Sequence, residues 1–422
     1  MIRLAIEFDR EHRVYEPGEL VCGKVVAEFG RPKKIRAVKL VVKGESLVEW
    51  SAQSEKPDSD GHYHYESFSG REEYFSSLFY LFGSANGTPV QLPVGQLVYP
   101  FKVQLPINLP SSFEHKHGHI RYTIKAVFDR PWKFDHEVKT AFTVAAPLNL
   151  NQKPQASLSI REEIEHGFCC LCICVGNMGA TISIPSSGYV PGQVIPVTVE
   201  YENHSNVEVE KIKIALNKRL KFYASTPSSN TKEDKLKTVE AQCRSPFRNK
   251  SVNQVTINLR VPSLPPSNLD YCGIIDLDYV LRVVICFEGM HCSVERKFSI
   301  LIGTIPLYNS LNAYNLNNVT APPPTAPLLP GLPPTSVVQP NNQPGPSIGF
   351  VVTNAPYPSH PGPSELPPPS YEACVYGARS IRGKEESEYM HGARVPFSPR
   401  YPVYNLYGSA NPTPTAPGYG TQ

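Results

Sequence analysis

The sequence has no long apolar run, no spaced set of cysteines and no large excess of one charge. Its longest apolar run, near residues 168–175, is far shorter than the about 20 residues that cross a bilayer. Charged residues at positions 3, 7, 9 and 10 interrupt the apolar core that a secretion signal needs. Four of the ten cysteines crowd into residues 169–174, which is unlike a disulfide framework. These absences predict a reduced, cytoplasmic protein that is not integral to a membrane.

Motifs of catalysis and of nucleic-acid binding are also missing. The net charge of +3 over 422 residues gives no dense cationic field for a phosphate backbone. The sequence has no Gly-x-Ser-x-Gly nucleophile turn, no P-loop and no Gly-x-Gly-x-x-Gly motif. We therefore predict a protein that is not an enzyme, uses no cofactor and binds no nucleic acid.

Two short clusters look like chemical sites, but structural explanations fit them better. His115, His117 and His119 alternate without the carboxylate or cysteine ligands that would complete a metal shell, so we predict a solvated loop. Asp276 and Asp278 lie two apart in a predicted strand, where both face the same way, toward solvent or a polar interface. No acid and base with distinct environments are indicated.

Basic residues gather in one part of the second half of the chain. Alternation along a strand favours a solvated face, and docking to anionic lipid is the alternative. We call this set the basic strip; its residues are Lys211, Lys213, Lys218, Arg219, Lys221, Lys235 and Lys237.

Short alternating stretches dominate residues 1–304. Segments such as 37–42, 121–128 and 211–216 place apolar side chains on one face of a strand, with turn residues between strands. The pattern predicts an all-β protein built of β-sandwiches. Residues 305–422 hold 24 of the 43 prolines and few charges, so they bury too little apolar surface to offset the ordering entropy of the chain. We predict a disordered, proline-rich tail there.

An internal repeat divides the folded part into two copies. Tyr15-Glu-Pro-Gly18 recurs as Tyr189-Val-Pro-Gly192, and the apolar positions 35, 38, 40 and 42 recur at the same offset of 174. A second correspondence relates Tyr122 to Tyr279, each downstream of a Leu-Pro pair. We predict one sandwich over residues 1–150, a second over 151–304 and a hinge near 147–154.

The two Tyr-x-Pro-Gly turns belong to a wider set of segments that resembles a known fold. The set also contains SFEHKHGHIRY at 112–122 and GYVPG at 188–192, followed by ENHS at 202–205. Together they resemble the arrestin fold, and in detail the α-arrestins or arrestin domain-containing proteins, over about residues 3–304. The resemblance implies two tandem immunoglobulin-like sandwiches in a cytosolic adaptor that contacts membrane cargo and recruits ubiquitin ligases through its tail. We find no counterpart of the basic tail residue that locks the charged core of visual and β-arrestins.

The tail contains one PPxY sequence, formed by Pro368, Pro369, Ser370 and Tyr371. Consecutive prolines favour the polyproline II helix that fits the aromatic groove of a WW domain, and the tyrosine fills a neighbouring pocket. The composition alone makes such a pattern common, but α-arrestins carry PPxY motifs in this position. We therefore predict binding to WW-domain HECT ubiquitin ligases. A second candidate, 398–401 (SPRY), lacks the first proline.

Two tail segments are identical and read Pro-Thr-Ala-Pro. For a tail of this composition, two chance copies have a probability on the order of a thousandth. The pattern resembles the late-domain motif that binds the ubiquitin-E2-variant subunit of ESCRT-I, and it resembles the α-arrestin branch with PPxY and PTAP motifs. The copies are Pro324-Thr325-Ala326-Pro327 and Pro414-Thr415-Ala416-Pro417.

The cysteine cluster allows three interpretations. In a single strand Cys170, Cys172 and Cys174 would form a row, which is not a tetrahedral metal cage. Reversible acylation of these residues and Cys169 would attach the protein to a membrane. The interpretation we favour is that of small side chains filling a strand that enters the second sandwich.

The sequence thus predicts a non-enzymatic trafficking adaptor without a metal site. It would link transmembrane receptors or transporters to WW-domain HECT ligases and to ESCRT-I, promoting ubiquitination, endocytosis, lysosomal sorting or vesicle budding. We expect a cytoplasmic protein that is recruited to the plasma membrane and endosomes through peripheral contact. The alternative is an arrestin-fold scaffold or signalling regulator without ligase recruitment. Thioredoxin binding through Cys243, near the thioredoxin-linked cysteine of a relative, is not expected, because no cysteine lies between Cys22 and Cys169.

Overall fold

A computed structural model describes residues 2–53, 60, 63–170, 173–244, 252–289, 291–309, 379–383, 386 and 390–404. These residues form two β-sandwiches in tandem and a short strand pair from the tail. The prediction of an all-β protein is confirmed.

The first sandwich packs a sheet ordered β1-β3-β8 against a larger sheet ordered β2-β11-β10-β5-β6, with β9 paired to β10 and a small β4-β7 pair beside them. Burial alternates as the sequence pattern requires, so that Val38, Leu40 and Val42 are fully buried in β5. The strands are β1 (Ile2–Phe8), β2 (Val14–Tyr15), β3 (Leu20–Phe29), β4 (Lys33–Ile35), β5 (Ala37–Gln53), β6 (Tyr65–Gly83), β7 (Val90–Leu92), β8 (Gly95–Gln104), β9 (Phe113–His115), β10 (Gly118–Asp129) and β11 (His136–Val144).

The second sandwich packs a sheet ordered β12-β13-β15-β18 against one ordered β14-β20-β19-β16-β17. A tail pair, β21 (Arg379–Ser380) with β22 (Pro396–Phe397), lies outside both sandwiches. The strands of the second sandwich are β12 (Ile160–Cys170), β13 (Ile173–Ile184), β14 (Gly188–Tyr189), β15 (Val194–Asn203), β16 (Val209–Ala224), β17 (Asn230–Arg244), β18 (Val252–Arg260), β19 (Ile275–Phe287) and β20 (Val294–Ile302).

The repeated Tyr-x-Pro-Gly turn has the same structure in both sandwiches. Tyr15 and Tyr189 each lie in a two-residue strand that pairs in parallel with the last strand of its own sandwich. Gly18 and Gly192 then take φ of +80° and +95°, a region that favours glycine. The repeat therefore fixes where the chain enters each sandwich.

The segment between the sandwiches is packed rather than exposed. It contains two 3₁₀ turns, Leu150–Gln152 and Pro154–Ser157. Leu150 and Ala156 are buried against the second sandwich, together with Val190. The Leu148 amide also donates to Thr304 Oγ1 at 2.7 Å. The predicted hinge at 147–154 is therefore fastened to the second sandwich.

Candidate functional site: a tail segment docked on both sandwiches

The short motifs predicted in the tail, at 324–327, 368–371 and 414–417, lie outside the described residues. Their binding roles stay predictions. Between the PPxY motif and the second PTAP motif, however, the structure describes most of residues 379–404, and these lie against the two sandwiches. We call this stretch the docked segment.

Two cations of the first sandwich hold the beginning of the docked segment. Lys139 Nζ donates to Glu386 Oε1 at 2.7 Å and to the Ile381 carbonyl at 3.1 Å. Arg121 Nη1 donates to the Ser380 carbonyl at 3.2 Å, while its Nη2 donates to Glu114 Oε2 at 2.8 Å. Burial raises the pKa of Glu386, but the hydrogen bonds from Lys139 and the Gly383 amide, together with the nearby positive charges, outweigh it, and the net pKa is lowered. The tail is thus held to the first sandwich by an ion pair between an acidic tail residue, Glu386, and a basic strand residue, Lys139.

The middle of the docked segment adds to the edge of the first sandwich as a short strand would. The Lys139 amide donates to the His391 carbonyl at 2.9 Å, and the His391 amide donates to the Glu137 carbonyl at 3.0 Å. Gly392 follows with φ of +77°, and a Cβ there would collide with the Lys139 carbonyl. Met390 and Ala393 are buried. Backbone pairing of this kind gives affinity, and flanking apolar side chains give register.

Tyr401 joins the docked segment to both sandwiches. Its hydroxyl donates to the Ser112 carbonyl of the first sandwich at 2.9 Å. Its own carbonyl accepts from Ser263 Oγ of the second at 3.1 Å. The ring is 3% exposed, and burial raises the pKa of Tyr401 well above its ordinary value, so the hydroxyl remains a donor. The second PPxY-like sequence, 398–401, therefore has its tyrosine buried while the segment is docked.

Tyr404 contacts the repeated turn of the second sandwich. The Tyr404 amide donates to the Pro191 carbonyl at 2.9 Å, and its hydroxyl donates to the Thr304 carbonyl at 2.6 Å. Gly192 lies directly beneath, where a Cβ would meet the Tyr404 backbone. The same turn that starts the second sandwich thus also receives the end of the docked segment.

The contact between the two sandwiches contains a buried histidine that we predicted to lie in a solvated loop. His115 is 7% exposed and stacks on Phe222 with ring centroids 4.9 Å apart. Burial lowers the pKa of His115 to about 3, although Asp234 lies 3.5 Å from its Nε2. Lys116 pairs with the same carboxylate at 2.8 Å. The prediction of a solvated loop is wrong for His115, because its turn is pressed between the sandwiches.

Lys218 also departs from the prediction of a solvated basic strip. It lies on the same face of β16 as Leu216 and Leu220, and it is 1% exposed with Nζ 6.0 Å from the Phe113 ring centroid. Burial lowers the pKa of Lys218 to about 7. The prediction is wrong here because Lys218 has the inward parity of the strand.

Several other residues of the basic strip are paired with carboxylates. Arg219 lies 2.7 Å from Asp278, Lys221 lies 3.4 Å from Glu233, and Lys237 lies 3.0 Å from Glu240. Asp276 accepts from Tyr223 at 2.6 Å. The shared outward orientation of Asp276 and Asp278 is confirmed, and both carboxylates serve surface contacts.

The cysteine cluster lies at the end of a hairpin and not in a single strand. Cys169 pairs with Cys174 and Cys170 pairs with Ile173 across the β12–β13 ladder, while Cys172 lies outside the described residues. The predicted row of three along one strand is therefore wrong, because the chain reverses within the cluster. No group of three or more His, Cys, Asp or Glu side chains among the described residues forms a metal site.

The two sandwiches define a class: a protein of two arrestin-type domains. Residues 4–151 match the family described as Arrestin (or S-antigen), N-terminal domain, and residues 175–307 match Arrestin (or S-antigen), C-terminal domain. The chain belongs to the arrestin family, and within it to the α-arrestins or arrestin domain-containing proteins. No helix within the described part of the chain is long and apolar enough to span a membrane.

The relatives that the chain resembles fall in the same group. The chain is 28% identical to Arrestin domain-containing protein 17 of Caenorhabditis elegans over 75% of this chain and 74% of that protein. It is 29% identical to Arrestin domain-containing protein 1 of Mus musculus over 64% of this chain and 58% of that protein. It is also 29% identical to Arrestin domain-containing protein 4 of Homo sapiens over 74% and 73%. Adaptors of the arrestin family are generally non-enzymatic scaffolds.

Proposed function

We propose that this protein is a non-enzymatic trafficking adaptor that joins membrane-protein cargo to two kinds of machinery. The sandwiches contact receptors or transporters, the PPxY motif recruits a WW-domain HECT ubiquitin ligase, and the PTAP motifs recruit ESCRT-I. The outcome is ubiquitination, endocytosis, lysosomal sorting or vesicle budding by a cytoplasmic protein recruited to the plasma membrane and endosomes. Membership of the arrestin family supports the adaptor role.

The position of the docked segment relative to the motifs is the observation that carries this proposal. Tyr371 precedes the docked residue Arg379 by eight residues, and Pro414 follows the docked residue Tyr404 by ten. A fully extended chain spans at most 3.3–3.6 Å per residue, so these motifs lie within about 30 and 35 Å of the segment. A ligase and ESCRT-I bound there stay near cargo on the sandwiches, at high effective concentration.

The docked segment also supports a single ligase site. The degenerate second motif ends in Tyr401, whose ring is buried between the sandwiches and whose hydroxyl is bonded to Ser112. A WW pocket cannot receive this ring while the segment is docked. Recruitment through Tyr371 alone gives no avidity from paired motifs, so the affinity for one WW domain sets ligase binding.

The experiment is a quantitative pull-down with the full chain, using a WW-domain ligase and the ESCRT-I ubiquitin-E2-variant subunit. Tyr371→Ala removes the WW anchor, and Tyr376→Ala, five residues on, is its matched control. Changing both Ala326 and Ala416 to Arg blocks the PTAP motifs, with Ala321→Arg and Ala410→Arg as controls. We expect each motif change to lower binding of its own partner at least about tenfold and to leave the other unchanged.

Different outcomes select different functions. If Tyr371→Ala leaves ligase binding intact, ligase recruitment through this motif is wrong, and the arrestin-fold scaffold or signalling regulator replaces it. If only the PTAP changes have an effect, vesicle budding without ubiquitination is the function that remains. The control substitutions distinguish both results from a general effect on the tail.

Acylation of the cysteine cluster stays a prediction. Its hairpin position is compatible with attachment of a membrane anchor at the end of β12 and β13. Acyl exchange on the wild type and on a variant with Cys169, Cys170, Cys172 and Cys174 changed to Ser tests it. A signal that persists in the variant would place acylation elsewhere, and no signal in either would favour the structural interpretation.

A further inference from the structure

The turn between β10 and β11 presents two aromatic side chains to solvent. Trp132 is fully exposed and Phe134 is 92% exposed, more than any other large apolar residue that the structure describes. Large aromatic side chains normally gain by burial, and most of those in this chain are buried. A pair at the tip of one turn therefore indicates a surface that is covered by something else in use.

The turn is built in this shape by its own polar contacts. Asp135 Oδ1 accepts from the Arg130 amide at 2.8 Å, and Arg130 Nη1 donates to the Phe134 carbonyl at 3.3 Å. Trp132 is held with φ of +61°, a conformation that is unfavourable for a residue with a side chain. Backbone strain of this kind persists where surrounding contacts enforce it, and here it keeps the ring away from the sandwich.

Basic residues lie in this turn and in a strand near its base. Arg130 and Lys133 lie in the turn itself, and Lys33 lies close enough for its charge to act on His136 at the base of the turn. Burial, and then the charges of Arg130 and Lys33, lower the pKa of His136 to about 4. Lys34 follows Lys33 in β4.

The charges of this turn differ from those of the basic strip. No ion pair joins Lys33, Lys34, Arg130 or Lys133 to a carboxylate among the described residues, whereas Arg219 and Lys237 in the strip are paired with Asp278 and Glu240. Lys33, Lys34 and Lys133 are therefore available for an external anion, and Arg130, whose Nη1 bonds the Phe134 carbonyl and His136, adds its charge. We call Trp132, Phe134 and these four cations the aromatic tip.

We propose that the aromatic tip inserts into the interfacial region of an anionic lipid bilayer. Trp132 and Phe134 enter the boundary between headgroups and acyl chains, and the four cations contact the acidic headgroups. Each cation near such a surface contributes about fivefold to partitioning. Both rings are exposed rather than recessed, so the tip fits a deformable bilayer better than it fits a small ligand, which needs a concave pocket.

The position of the aromatic tip suits this role. Strand β10 runs from Gly118, beside the contact between the sandwiches, to Asp129 at the base of the turn, a path of about 36 Å at 3.3 Å per residue. The tip therefore lies at the end of the first sandwich that is far from the contact between the sandwiches. The proposal adds a membrane contact to the adaptor function, and its test needs neither ligase nor ESCRT-I.

The test uses vesicles and the protein's own fluorescence. The chain has two tryptophans, and Trp50 is buried while Trp132 is exposed, so a blue shift on adding vesicles reports Trp132. We expect the shift with phosphatidylcholine vesicles that contain phosphatidylserine, and a much smaller one with phosphatidylcholine alone. Changing both Trp132 and Phe134 to Ala should lower co-sedimentation at least about tenfold, and Lys33→Ala with Lys133→Ala should lower it by a similar factor.

The same chain offers matched control substitutions for this test. Tyr271→Ala removes another exposed ring, which is 61% exposed, and Lys237→Ala removes a cation of the basic strip; neither should change vesicle binding. Vesicle binding without a Trp132 shift overturns the proposal, because the membrane contact then lies elsewhere. If the protein ignores phosphatidylserine vesicles but Trp132→Ala loses cargo, the aromatic tip is a protein contact instead.

Discussion

The two sandwiches share one set of hydrogen-bonding devices although their sequences have diverged. In the first, the Tyr122 hydroxyl donates to the Pro110 carbonyl at 2.7 Å, and Ser112 Oγ accepts from the Val144 amide. In the second, the Tyr279 hydroxyl donates to the Pro265 carbonyl at 2.8 Å. Ser267 Oγ there accepts from the Ile302 amide at 2.9 Å. The duplicated fold has kept the contacts that satisfy its buried backbone.

The sandwiches differ at the turn between their long strands. In the second, the aromatic ring at the end of β19 is covered, because Phe168 packs on Phe287 at 4.8 Å and on His291 of the following turn at 5.7 Å between ring centroids. In the first, the corresponding turn projects Trp132 and Phe134 into solvent. The aromatic rings at the second turn thus pack on a neighbouring strand, whereas those of the first turn stay exposed.

An additional strand explains this difference. Strands β13, β15 and β18 of the second sandwich correspond to β1, β3 and β8 of the first, and β12 extends the second sheet by one strand that carries Phe168. No described strand lies in that position beside β1. The added edge strand thus supplies the packing partner in the second sandwich, and no described strand takes the same place in the first.

The largest effect should come from removing that cover. Phe168→Ala deletes a ring that is 2% exposed, and we expect a loss of about 3–5 kcal/mol of unfolding free energy in the second sandwich. Phe134→Ala, the same change in the exposed turn, should alter stability by less than about 0.5 kcal/mol. Urea unfolding of both variants measures the contrast. Equal losses would mean that Phe134 is packed and that the two turns do not differ.

Removing the shared tyrosine hydroxyls should lower the unfolding free energy by a smaller amount, and by a similar amount in both sandwiches. Tyr122→Phe and Tyr279→Phe each remove a hydroxyl and leave a proline carbonyl without its donor, which costs about 1–3 kcal/mol. We expect similar losses in thermal or urea unfolding, with Tyr271→Phe as an exposed control. If only one variant lost stability, the two contacts would not be equivalent despite their matching geometry.

Substitutions at the two repeated glycines should affect the docked segment differently. Gly18→Ala and Gly192→Ala both force a side chain into a left-handed conformation, at about 1–2 kcal/mol. Only Gly192→Ala also collides with the Tyr404 backbone, so it should release the end of the docked segment. Hydrogen exchange at the Tyr404 amide measures release. Protection retained in Gly192→Ala, or lost equally in Gly18→Ala, would contradict this.

The sandwiches were predictable because their signals are local and repeated. Alternation predicted the strands, and the offset of 174 between Tyr15 and Tyr189 predicted two copies whose turns have the same geometry. For Lys218 the sequence contained a signal of burial that our interpretation of the basic strip did not use. Its parity with Leu216 and Leu220 already indicated the inner face of β16.

The docked segment was harder to predict, because the average composition of residues 305–422 hides the different composition of this short stretch. Its contacts use separate anchors, such as Ile381 and Tyr401, and backbone groups that any sequence supplies. One signal was present: all five Lys and Arg residues of the tail, and three of its five Glu residues, lie between 379 and 400. The burial of His115 depends on the approach of the second sandwich, which no pattern near that residue encodes.

The smallest effect concerns the ion pair that holds the docked segment to the first sandwich. Burial raises the pKa of Glu386, but the hydrogen bonds from Lys139 and Gly383 and the nearby positive charges together hold it below the ordinary value. Docking is therefore favoured above the ordinary carboxyl pKa and weakens as pH falls through the lowered one. Glu386→Gln should cost about 1 kcal/mol of docking at neutral pH and remove this acid dependence. Protection of the His391 amide from hydrogen exchange, corrected for intrinsic exchange, measures both the strength of docking and its pH dependence.

Glu295→Gln is the control in the second sandwich, where hydrogen bonds from Arg282 and Lys297 lower the pKa of Glu295 to about 2. If Glu295→Gln changed His391 protection as much as Glu386→Gln, the acid dependence would belong to the whole fold and not to the tail contact.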